Sequence, residues 1–98
     1  MRRTIAVTAA LAAAAFAANA QESGRNLAAA CAICHGTEGR AVMKDVIPLA
    51  GLPREHIATQ MRAFRDGQRP ATVMHQIAKG YSEAQIDAMA AWFASQKR

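Results

Sequence analysis

Cys31, Cys34 and His35 are the residues whose types and spacing could do chemistry. Two thiols three positions apart, followed at once by an imidazole, form a C-x-x-C-H pentapeptide, the pattern of covalent c-type haem attachment. Near the end of a helix the two sulfurs can reach two vinyl groups along one porphyrin edge and form thioethers. The adjacent imidazole then falls under the iron as proximal ligand. Three other readings explain less. A thioredoxin-like redox pair needs a βαβ setting, and the sequence carries no strand signal. Zinc needs a fourth ligand, with a second C-x-x-C or an H-x-x-x-H to supply it; there is no third cysteine, and His56 and His75 fall in helical patterns. A plain disulfide leaves His35 without a role.

A proximal histidine leaves one iron coordination position open. The side chains able to fill it are Met43, Met61, Met74, Met89, His56 and His75. Met61 and Met89 belong to helical apolar stripes, where methionine is usually filler, and Met43 is too close in sequence to His35 to reach the other face easily. Met74 follows Pro70 in a stretch without periodicity, some forty residues after the motif, and is the expected distal ligand. Its neighbour His75 is the rival. Thioether ligation raises the reduction potential relative to bis-histidine ligation, so the choice is measurable.

The elements that must position these residues are helical. Ser23 is placed to cap a first helix running through Gly24 into the motif, with Leu27, Ala30, Cys31 and Cys34 on one face and Gly36 as its stop. From Thr37 to Leu52 no period is sustained. That loop is expected to wrap the proximal side and edge of the haem, with Pro48 packing near His35, or else to be an ordinary connector. Pro53 suits the first turn of a second helix, with Ile57, Met61 and Phe64 facing inward and Asp66-Gly67 ending it. Arg62, Arg65 and Arg69 make a basic stripe on that helix, either a docking patch for an acidic partner or a solvated face. Tyr81 to Ile86 contains a capping box, Ser82-x-x-Gln85, with Tyr81 and Ile86 as a hydrophobic staple. The last helix runs to about Gln96 with Ile86, Met89, Ala90, Trp92 and Phe93 buried.

Length and composition bound the rest. The chain has 98 residues, one domain at most. Met1-Arg2-Arg3, an apolar run from Thr4 to Ala17 and Ala18-Asn19-Ala20 read as a secretory signal peptide, residues 1–20, cleaved to leave residues 21–98. The run is shorter than the roughly 20 apolar residues of a spanning helix, and export makes the expected compartment the periplasm. Loss of Arg2 and Arg3 takes the formal charge from +5 to +3, too mild to argue for nucleic acid. So short a mature chain buries little surface, and a covalent haem is the staple it needs. No paired carboxylates, activated nucleophile or phosphate-cradling loop is present, so the chain is not expected to be an enzyme by itself; the cofactor carries the chemistry.

On these residues the sequence resembles the class I cytochromes c. The likeness runs through a helix ending in Cys31-x-x-Cys34-His35, the Ile47-Pro48-Leu49-Ala50-Gly51-Leu52 loop, Phe64-Arg65-Asp66-Gly67, a methionine segment and an aromatic-bearing last helix. More narrowly, residues 72–82, TVMHQIAKGYS, are similar to the methionine-ligand segment in the haem subunit of flavocytochrome c sulfide dehydrogenases. The resemblance implies an all-α fold, three main helices and loops around one covalent haem c. It implies thioethers at Cys31 and Cys34, iron ligation by His35 and Met74, and electrons arriving from an FAD-containing flavoprotein subunit that oxidises sulfide, then leaving to other redox proteins. Many such haem subunits carry two haem domains, whereas this sequence has one C-x-x-C-H. The alternatives are a freely diffusing soluble carrier and, from another class, a five-coordinate haem protein that binds a gas or reacts with peroxide.

Overall fold

Helical segments alone make up the regular structure among residues 24–98, the residues described by the computed structural model. The expected leader, residues 1–20, and the expected cap Ser23 lie outside them. The first segment, α1, is helical over residues 24–28, tightens into a 3-10 turn at Ala29–Cys31 and closes as one α-turn at Ala32–His35. Gly36 stops it with φ +80°, a left-handed conformation open to glycine at little cost. After a 3-10 turn at Thr37–Gly39 and an irregular loop come α2 (Arg54–Arg65), a short α3 (Met74–Ala78) and α4 (Glu83–Ala94).

Local chemistry accounts for the boundaries. The Pro53 carbonyl accepts the first hydrogen bond of α2, from the Ile57 N–H at 3.2 Å. At the other end, Gly67 at φ +75° completes a Schellman arrangement, in which the Gln68 N–H donates to the Ala63 carbonyl at 2.9 Å and the Gly67 N–H to that of Phe64 at 3.3 Å. The expected capping box of α4 is present in both directions: the Ser82 N–H donates to Gln85 Oε1 at 2.9 Å, and the Gln85 N–H to Ser82 Oγ at 3.2 Å. Tyr81 is partly buried and packs against the core cluster to which the buried Ile86 belongs. Helix α4 ends two residues before the expected Gln96, with Ser95 as its cap.

The methionine segment, read as non-periodic at Met74 although His75 was placed in a helical pattern, forms α3. Five residues carry too little pattern to register against the flanking turns; packing against α2 holds them.

The core lies where α1, α2 and α4 meet and is thin. Among the described residues nine apolar side chains are buried, and five of them are alanine: Ala28, Ala50, Ala58, Ala78 and Ala90. The others are Ile57, Ile86, Met89 and Phe93. Helices α1 and α4 approach closely because position 24 has no side chain; a Cβ there would lie 2.7 Å from the Ala88 carbonyl oxygen.

The arginine stripe differs from the expected docking patch. Arg62 donates to Glu83 and Asp87, both at 2.6 Å, and Arg65 to Asp66 at 3.1 Å and Glu83 at 2.5 Å. Both are spent on joining α2 to the start of α4, a pairing set by tertiary contact and invisible along one helix. Arg69 lies apart from these carboxylates and faces a cavity.

Candidate functional site

The thin core borders a cavity of about 560 Å³ that Ala30, Cys31, Cys34 and His35 enter from α1. That volume falls within the roughly 300–1,000 Å³ of small-molecule and cofactor sites. The loop contributes Asp45, Val46, Ile47, Leu49 and Leu52; α2 contributes His56, Ile57, Gln60, Met61 and Phe64; the segment around α3 contributes Arg69, Thr72, Val73, Met74 and Ile77. Tyr81 and Met89 complete the wall. Most of these are aliphatic, aromatic or thioether side chains, the lining wanted by a large flat apolar group with few polar attachment points.

His35 supplies the clearest geometry. Its Nδ1 lies 2.7 Å from the Ile47 carbonyl oxygen. A carbonyl only accepts, so Nδ1 carries the proton and Nε2 keeps its lone pair for a metal. A second-sphere carbonyl of this kind fixes the ring orientation and increases ligand basicity. The chain ensures that the carbonyl is there. Pro48 restricts the residue before it to extended backbone, and the Gly39 carbonyl accepts from the Leu49 and Ala50 N–H groups at 2.8 and 3.1 Å. The Gly51 N–H, donating to Phe93 at 2.9 Å, ties the loop to α4.

The two thiols are not bonded to each other. Cys31 is half-buried, and burial pushes its thiol up from the ordinary value. Among the described residues no group of three or more His, Cys, Asp or Glu side chains is placed to hold a metal ion, which leaves the zinc reading without a ligand set there.

The sequence-derived site residues divide cleanly. Cys31, Cys34, His35 and Met74 share the cavity. His75 does not line it, and its buried Nδ1 has no hydrogen-bond partner among the described residues. Met61, Met89 and His56 are on the wall, whereas Met43 is off it and exposed. Pro48 is exposed and lines a separate cleft with Arg40 and Arg98; Ile47 and Leu49, its neighbours in an extended run, face the cavity. Ile47 also lines that second cleft. Gln60, Arg69, Thr72 and Tyr81 were not anticipated on the cavity wall. Only the place of Gln60, three residues after Ile57 and four before Phe64, hinted at the first.

A covalent porphyrin suits this donor set: two thiols on one turn, an imidazole with a free Nε2, a thioether from a separate element and apolar walls between them. Among the described residues no helix is long and apolar enough to cross a membrane.

Known proteins bear on the site. No family model matches the chain. A thiosulfate dehydrogenase electron acceptor from Thiomonas intermedia is 42% identical over 71% of this chain and 33% of its own length. The cytochrome subunit of sulfide dehydrogenase from Chlorobaculum tepidum is 39% identical over 74% of this chain and 66% of its own. Cytochrome c-554(548) from Halomonas halodenitrificans is 32% identical over 76% of this chain and 94% of its own. The chain thus spans one third of the first relative, about two thirds of the second and nearly all of the third.

Proposed function

The chain belongs to the class I cytochromes c, all-α proteins that carry covalent haem c, and we propose that it is a one-haem electron-transfer subunit of a periplasmic sulfur-oxidising dehydrogenase. In this reading a leader over residues 1–20 exports it, residues 21–98 form the haem domain, and an FAD-containing flavoprotein that oxidises sulfide is the electron donor. Other redox proteins are the acceptors.

The observation that carries the site assignment is the His35–Ile47 hydrogen bond of 2.7 Å. It leaves Nε2 as the ligating nitrogen of an imidazole that shares one cavity with both thiols and the Met74 thioether. Cys31 and Cys34 hold the group through thioethers, His35 is the proximal ligand and Met74 the distal one. Haem c, once attached, supplies a one-electron iron couple. The chain's residues would set its terms: Ile47 orients the imidazole, Met74 would hold the iron from a separate element, and the apolar walls would exclude water. A low-dielectric surround with few water dipoles to reorganise suits electron transfer rather than bond-making.

The named relatives support the finer assignment, two of them serving sulfur-compound dehydrogenases by name. So does the surface. Ile33, inside the motif, is 84% exposed, and Val42 on the following loop 93%. Neither lines the cavity; side chains this apolar beside an attachment site suit a lasting subunit contact. The Halomonas relative, nearly matched in length by this chain, favours the second reading, a freely diffusing carrier.

Size-exclusion chromatography of native periplasmic extract, followed at haem and flavin wavelengths, separates the two. Co-elution of haem and flavin with a second, larger chain, and reduction of the haem by sulfide in that fraction, is the expected result. Elution of the haem alone near the mass of one short chain would make the protein a diffusible carrier.

A further inference from the structure

A second cleft, of about 460 Å³, lies against the first cavity, and Ile47 and Leu52 line both. Its other apolar members are Ala41, Pro48 and Ala50, and its two charged side chains are Arg40 and Arg98. The fold brings these arginines together from opposite ends of the described chain. Arg40 Nε donates to the Lys97 carbonyl at 2.9 Å, which lays the last two residues along the loop, and Arg40 Nη1 pairs with Glu38 at 2.7 Å. Gly51, at φ +73°, leaves room for the stem of Arg98; a Cβ there would lie 2.8 Å from Arg98 Cγ. The stem is set against backbone while the residue stays exposed. Among the described residues the Arg98 guanidinium has no carboxylate partner, so its planar fork is open to a bidentate anion.

The two halves of the cleft define what it would take. Its floor of Ala41, Ile47, Pro48, Ala50 and Leu52 gives a bare inorganic anion nothing in exchange for lost hydration, and the volume is that of a small-molecule site rather than of one small ion. A wholly apolar ligand would leave the arginine fork idle. An apolar side chain next to a carboxylate, on one chain, meets both. The surface around the cleft makes that chain a protein's: Val42, next to Ala41, is 93% exposed and Ile47 53% exposed, so apolar surface runs outward from an arginine-flanked pocket, the composition of an interface core.

We propose that this cleft is a docking pocket for the dehydrogenase partner, which seats an acidic segment there with a carboxylate on Arg98 and a neighbouring apolar side chain against Ile47 and Pro48. The identity of that partner rests on the subunit reading above. Arg40 is the positioning residue, holding the last two residues beside the loop. Cys31, Ile33 and Cys34 do not line the cleft, so this contact is separate from the attachment turn. It also bears on the site: the Ile47 carbonyl accepts from His35 Nδ1, and a seated partner braces the loop that orients the imidazole.

Two measurements on the haem-loaded full chain test this. In nitrogen–proton correlation NMR, a leucine-glutamate-leucine tripeptide with blocked ends is expected to shift the Arg98 Nε–H signal and the Ala41 and Ala50 amides. The leucine-glutamine-leucine counterpart and sodium acetate are expected to leave them in place. Arg98→Glu should abolish the response, and Arg98→Lys, which keeps the charge and loses the fork, should retain part of it. Absence of these shifts in the wild type, or equal shifts with the glutamine peptide or with acetate, would overturn the pocket. In periplasmic extract, haem and flavin are expected to co-elute for the wild type and to separate for Arg98→Glu, whose haem spectrum and melting should match wild type. Co-elution kept by Arg98→Glu sinks the docking pocket alone; wild-type haem that elutes without flavin sinks the subunit reading and the proposed occupant with it.

Discussion

Replacing Gly24 by alanine tests how the attachment helix is docked. In a helix interior the change should help, since alanine is favoured over glycine by about 1 kcal/mol. Here the added Cβ would meet the Ala88 carbonyl oxygen at 2.7 Å and Trp92 Cβ at 3.5 Å. The first contact is too short, and it is with helix backbone, which cannot rotate away as a side chain could. Overpacking of this kind costs about 1–3 kcal/mol. With Ser23 as the expected cap, Gly24 stands in the first turn, where little of that interior gain applies, and the net loss is about 1–3 kcal/mol. For a domain of this size that corresponds to a fall in Tm of roughly 4–24 °C. The assay is guanidinium or thermal unfolding of the haem-loaded protein, followed by haem absorbance and far-UV circular dichroism. Gly24→Val should be worse than Gly24→Ala, and the yield of haem-loaded protein should drop in the same order, because α1 carries Cys31, Cys34 and His35. A Gly24→Ala protein as stable as wild type, or more so, would refute the close crossing of α1 and α4.

Other perturbations address separate parts of the account. Met89→Ala removes one of the four large buried side chains and is expected to cost about 2–5 kcal/mol in denaturant titration. Pro48→Ala frees Ile47 from its extended conformation; a looser His35–Ile47 bond makes the imidazole a weaker donor, so the potential should rise, with a stability loss of about 0.4–1 kcal/mol. Hydrogen bonds from Arg62 and then Arg65 hold the Glu83 carboxyl below its ordinary value of 4.5. A lowered folded-state value means stability that is present above pH 4.5 and lost as pH falls through the lowered value; Glu83→Gln should flatten the unfolding profile in that acid window. The Cys31→Ser/Cys34→Ser double variant, made without haem, should show no cooperative melt, because half the buried positions are small and the cavity would be an empty centre.

The readability of this chain in its sequence followed the range of the forces involved. The C-x-x-C-H spacing, the Ser82–Gln85 box and the Asp66-Gly67 stop are local, and each stands where its pattern placed it. The arginine stripe was visible as charge, but whether Arg62 and Arg65 face solvent or Glu83 and Asp87 depends on how α4 returns against α2. Gly24 was legible only as a member of the first helix and is a contact point with α4, since no single-helix pattern contains Ala88. At Pro48 the residue is not on the cavity wall: Leu49 lines the cavity, and Ile47 lines both the cavity and the cleft that holds Pro48. Met74 was separable from His75 by context only; the single turn of α3 sends the first to the cavity and the second away from it.

The central claim is that this cavity holds haem c between His35 and Met74, and it is tested most directly by the red-end visible spectrum of the oxidised protein, wild type against Met74→Ala. The account predicts a methionine–iron charge-transfer band in the wild type, its loss in Met74→Ala, and a lower reduction potential with it. A spectrum and potential left unchanged by Met74→Ala would contradict the assignment and point the sixth position to another side chain.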